Sequence, residues 1–127
     1  MFGAGFYKQK KIKKEKDMSK SLIERIENRL KDSDGMDAGD KRELLDLLEK
    51  LRSEVADLEG THADHAESIA SFAGAATHEA TRTDTNQQRL QLAMDGLSSA
   101  VADVEAEHPR LVEVTNSICT MLSNLGI

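Results

Sequence analysis

Leu44-Leu45-Asp46-Leu47-Leu48-Glu49-Lys50-Leu51-Arg52-Ser53-Glu54-Val55-Ala56-Asp57-Leu58 is the stretch that decides the fold. Within it Leu44, Leu48, Leu51, Val55 and Leu58 are separated by alternating steps of four and three, the spacing of a helix that packs along another helix. The alternation runs on through His62, His65, Ile69, Phe72 and Ala76 with no change of phase at Gly60, so one helix over about 40–80 is expected. Its second half is rich in small residues (Ala63, Ala66, Ala70, Ala73, Gly74, Ala75, Ala76), which let a neighbour approach closely but bury little area each.

Toward the C-terminus, Thr81-Arg82-Thr83-Asp84-Thr85-Asn86 breaks the apolar pattern and supplies several N-cap residues, which predicts a reversal of direction. A seam resumes at Leu90, Met94, Leu97, Val101, Val104, His108, Leu111, Thr115, Ile118, Leu122 and Leu125. Pro109 removes the N–H that would bond Glu105 and disfavours a helical His108, so helices over about 84–107 and 109–125 are expected with a break or kink between them. Toward the N-terminus, Ser21-Leu22-Ile23-Glu24 reads as a capping box and Leu22, Ile23, Ile26 and Leu30 mark one face of a helix over about 19–32. The turn Asp32–Gly39 follows, with Gly35 expected to take a positive φ and Asp40 to cap the next helix.

These elements predict an all-α protein: a long, coiled-coil-like antiparallel hairpin with the short N-terminal helix packed at its base. Reversal near residue 82 sets position 40 opposite 125 and position 58 opposite about 107, in arms about 60 Å long at ~1.5 Å per residue. Residues 18–127 form one domain on this reading. A tip of only two helices leaves apolar surface wet, which predicts pairing with another copy, most simply a dimer, or with a protein partner. Ile69, Phe72, Ala76, Leu90 and Met94 are the expected contact residues of that tip.

Residues 1–17 stand apart, with six lysines against Glu15 and Asp17, a net of +4; the other 110 residues carry 11 basic and 21 acidic groups, a net of −10. Three readings of this leader compete. The codons for Lys13-Lys14-Glu15-Lys16-Asp17 can form a purine-rich ribosome-binding sequence before Met18, which would make Met18 the true start; otherwise the segment is a disordered solubilising tail, or a membrane anchor using Phe2, Phe6 and Tyr7. The acidic body argues against nucleic acid as a ligand, and against a membrane unless the leader is native. One cysteine, Cys119, fits a reducing cytoplasm and reads as an inert packing residue.

Chemistry is sparse. There is no Gly-rich phosphate loop and no Gly-x-Ser-x-Gly elbow, so neither an enzyme nor a cofactor is expected. Two Glu-x-x-His patterns, Glu59 with His62 and Glu105 with His108, each put a carboxylate and an imidazole on one helix face, and the hairpin register brings them within a turn or two of each other with His65 just beyond. Glu59, His62, His65, Glu105 and His108 are therefore candidate metal ligands, the alternative to a purely interacting role. Were His62 and His65 buried in the seam, protonation near pH 6 would loosen the association, since burial lowers the folded pKa and stability is lost as pH falls.

The segment Glu105-Ala106-Glu107-His108-Pro109-Arg110-Leu111 and the terminal Leu122-Ser123-Asn124-Leu125-Gly126-Ile127 resemble a family of short bacterial helical proteins known only as a domain of unknown function, with a looser likeness over Leu22–Leu58. The resemblance implies a compact bacterial helical protein in which residues 60–85 are an elaboration, and it implies no site.

Overall fold

The computed structural model describes residues 18–33 and 35–125. The leader, on which the start-site, tail and anchor readings fall, lies outside the described residues, as do Gly126 and Ile127. The described chain is helical with no strand: α1 (Met18–Lys31), α2 (Ala38–Glu59), α3 (Ala63–Ala80), α4 (Gln87–Ala102) and α5 (Pro109–Leu125).

The antiparallel hairpin is present, with the expected register at its open end and a shift of about one helical turn at the other, where residue 62 is expected near 103. Asp40 and Glu43 of α2 share a groove with Asn124 and Leu125 of α5, and His62 meets Glu107. The single helix over 40–80, however, is two helices. Lys41 Nζ donates to the carbonyls of Lys31 (3.2 Å) and Ser33, while Ser33 and Leu30 line a second groove with Thr77, His78 and Thr81. The start of α2 and the end of α3 therefore lie at one end of the molecule. An unbroken helix would hold Lys41 and Thr77 about 54 Å apart. The hairpin is folded double at its waist, and no 60 Å arm exists.

Local chemistry explains the fold-back. Gly60 keeps helical angles (φ −68°, ψ −26°) but, as a poor helix former, contributes little to continuing the helix. Thr61 and His62 both donate backbone N–H groups to the carbonyl of Leu58, at 3.1 and 2.7 Å, and His62 leaves the helical region at φ −138°, ψ 62°. The second bend stacks on the first. α4 ends at Ala102 rather than 107, a run of tight turns follows, and Pro109 opens α5, where its missing N–H has no helical partner to lose.

The result is an up-down-up-down bundle of α2, α3, α4 and α5, with α1 seated against both α2 and α3. The seam residues Leu44, Leu48, Leu51, Val55 and Leu58 are all fully buried and meet Leu90, Leu97, Val101, Leu111, Ile118 and Leu122 in one core. Past the bend the buried stripe restarts at Ala66, Ile69, Ala70, Ala73, Ala76 and Thr77, leaving His62 and His65 outside it.

The caps differ from expectation. Asp37, not Asp40, opens α2, its Oδ2 accepting from the N–H groups of Gly39 (3.0 Å) and Asp40 (3.2 Å). Ser21 lies inside α1, which begins at Met18, and no glycine among the described residues has a positive φ. At the α3–α4 turn, Asn86 Oδ1 accepts from Arg89 N–H at 3.0 Å, and the buried Glu79 carboxylate accepts from Asn86 N–H at 3.1 Å. Glu79 also lies 3.5 Å from Arg82, so a residue of α3 fixes the start of α4.

Candidate functional site

Stacking the two bends gathers the histidines. The ring of His62 lies 5.8 Å from that of His65 and 6.3 Å from that of His108, both edge to face. The acids that meet them are not the ones the Glu-x-x-His patterns name. His62 Nε2 lies 2.8 Å from Glu107 Oε2, and His65 Nε2 lies 3.4 Å from Asp103 Oδ2. Glu105 is exposed on the turn, and both carboxylate oxygens of Glu59 are buried with no hydrogen-bond partner. Of the five residues considered as ligands, the structure thus brings three imidazoles together. Two of these have an Nε2 engaged by a carboxylate, and among the described residues no three His, Cys, Asp or Glu side chains are disposed to hold one metal ion.

The electrostatics of this corner follow from exposure. The hydrogen bond from His62, with its charge when protonated, holds the Glu107 carboxyl below the usual glutamate value. Both His62 and His65 are partly exposed and face carboxylates rather than apolar walls. Burial, the premise of the pH-sensitive seam, is missing here. The corner ties the α2–α3 bend to the α4–α5 bend.

The expected interaction residues divide sharply. Ile69, Ala76, Leu90 and Met94 are buried in the core of the chain itself, because the fold-back supplies the partners that a two-helix tip would have lacked. Phe72 alone stays outside, 37% exposed, its ring lying on α4 against Gly96. A Cβ at residue 96 would meet ring atoms of Phe72 at 2.4–2.7 Å, so the seat exists only because residue 96 is glycine. One helical turn before Gly96 on α4 is Leu92, 70% exposed.

Leu92 had no signal in the inner seam. It belongs to a second stripe on the outer side of α4, Arg89, Leu92, Gly96, Ser99 and Asp103, spaced three, four, three and four. Beside it on α3 run Asp64, Ser68, Phe72 and Ala75. A groove of about 290 Å³ between the helices is lined by Asp64, His65, Ser68, Phe72, Gly96 and Asp103, among others. Phe72 and Leu92 are the two exposed large apolar side chains among the described residues.

Cys119 is half-buried on α5. Burial pushes its thiol up; a hydrogen bond with Ser98 opposes this and the charge of Asp95 adds to it. A thiol so placed is not an activated nucleophile. No described helix is long and apolar enough to cross a membrane.

Fold and surface together define a small up-and-down helical bundle with one outward apolar face. The chain belongs to the family described as Domain of unknown function (DUF4404), whose model matches residues 44–127. That span takes in the four helices of the bundle from Leu44 onward, including residues 60–85, and leaves α1 outside. No curated protein and no solved structure matches the chain.

Proposed function

We propose that this chain is a non-catalytic helical interaction module of the bacterial cytoplasm, acting through the outer face of α3 and α4. The exposure of Leu92 and Phe72 carries the reading: they are the two exposed large apolar side chains among the described residues, and Leu92, 70% exposed, lies one helical turn from the Gly96 on which the Phe72 ring rests, which leaves that face ready for a partner. The half-buried Cys119, free and without a disulfide, fits a reducing compartment.

The test is the size of the native species. In extracts of its own cell the chain should migrate in a complex well above its 14.0 kDa mass, and the Leu92→Asp variant, whose site is on the surface, should fold normally and migrate as a monomer. Wild-type and variant chains both running at monomer mass would refute the reading.

A further inference from the structure

Resting on that reading, we infer that the occupant of the α3–α4 face is a second copy of this chain, packed face to face with its helices antiparallel to the first. Charge on the face is divided by height. At the end nearest the histidine corner lie Asp64 and Asp103, the latter 3.4 Å from His65; at the other end lie Arg89 and Arg82, the latter 3.5 Å from Glu79, with exposed Asp84 on the turn beyond; between them Ser68, Phe72, Ala75, Leu92, Gly96 and Ser99 carry no charge. Asp95 lies beside this stripe, with its carboxylate accepting from Gln91 Nε2 at 2.8 Å. Gly96 falls midway between Arg89 and Asp103, and Phe72 falls within one residue of midway between Asp64 and Arg82.

A two-fold axis lying in the face, across the helices at the height of Phe72 and Gly96, therefore sets Asp103 of one copy against Arg89 of the other, and Asp64 against Arg82. It also brings Leu92 over Ser99 and Ala100 of the second copy, covering both exposed apolar side chains. A parallel arrangement would oppose acid to acid and base to base, which is repulsive. The small residues Ser99, Ser68 and Ala75 let the two layers reach ordinary helix-packing distance. Two helices about 27 Å long and ~9 Å apart offer roughly 500 Å² per copy, about 1,000 Å² in total, which is the low end for a specific contact. The dimer is accordingly a reversible one.

Sedimentation equilibrium on the purified full-length chain over a concentration series tests this, with the variants Arg89→Asp, Asp103→Arg and the double reversal. Both reversals suit the helix dipole, an acid in the first turn of α4 and a base at its end, so each variant should fold, as far-UV circular dichroism would verify. Wild type should pass from monomer to dimer with concentration. Each single reversal should weaken the dimer about tenfold or more, by opposing like charges, and the double reversal should restore it. Wild type monomeric throughout, single variants as dimeric as wild type, or a double reversal that fails to recover would each overturn the proposal. If the purified chain is monomeric while the native chain runs in a larger complex that Leu92→Asp abolishes, the second copy is excluded and the interaction reading stands on its own.

Discussion

Replacing Gly96 by alanine tests the seating of Phe72 directly. In an ordinary helix interior this change stabilises by about 1 kcal/mol, because alanine restricts the unfolded chain and favours the helix. Here the new methyl would lie 2.4 Å from Phe72 Cε1 and 2.7 Å from Cδ1 and Cζ, well inside contact distance, so the ring has to swing off α4. The ring is 37% exposed in its seat. A fully enclosed aromatic side chain buries about 150–250 Å², so the seat covers roughly 100–150 Å², worth about 3 kcal/mol at ~25 cal/mol per Å². Losing half or more of that against the helix gain leaves Gly96→Ala destabilised by about 0.5–2 kcal/mol, a fall of roughly 2–10 °C in Tm for a domain of this size. Urea and thermal unfolding followed at 222 nm measure it. In a Phe72→Ala background the clash is gone, and Gly96→Ala should raise stability by about 1 kcal/mol. A Gly96→Ala protein as stable as wild type, or the same effect in both backgrounds, would refute the seat.

Gly60→Ala should do the opposite: residue 60 already has helical angles and a Cβ there meets nothing within 4 Å, so a gain of about 0.5–1 kcal/mol in urea unfolding is expected, and a loss would mean that the bend needs glycine. Glu107 has a lowered pKa, so its contribution to stability is present above the ordinary glutamate value and is lost as pH falls through the lowered one. In His62→Ala, carboxylate titration of Glu107 by NMR should move back up toward the ordinary value, and no movement would remove His62 as the cause. The raised Cys119 thiol should react with iodoacetamide at pH 8 much more slowly in the folded chain than in urea; equal rates would show an open, ordinary thiol.

The inner seam was legible because burial on one side of a helix writes itself into the spacing, and Leu44 through Leu58 and, apart from His108, Leu90 through Leu122 lie where that spacing puts them. The fold-back was not legible, since the alternation carries through Gly60 in phase and Gly60 itself stays helical. Its signal is weaker: a Gly-Thr pair followed by two histidines at positions that a buried seam would give to apolar residues. The His corner was half legible. Register alone brought residues 59–62 across from about 103–106, but the carboxylates that meet the rings, Glu107 at His62 and Asp103 at His65, sit on a run of turns whose geometry does not follow helical periodicity. Glu79 was missed for a similar reason, because one acidic residue among 23 gives no sign that it turns inward to hold the next helix.

The doubled hairpin also makes one contact of the ring costlier to close than the others. Along the ring of four helices, α2–α3, α3–α4 and α4–α5 are each joined by a short turn, and such contacts close at little entropic cost. The contact between α2 and α5 is different, since it joins the first and last helices of the ring, with α3 and α4 between them in the chain. Like the last stave of a barrel, α5 closes the ring, and until it docks the Leu44–Leu58 stripe stands open on one side. Weakening the α2–α5 seam should therefore speed unfolding while leaving the earlier pairings able to form, which makes the C-terminal helix the natural first point of opening.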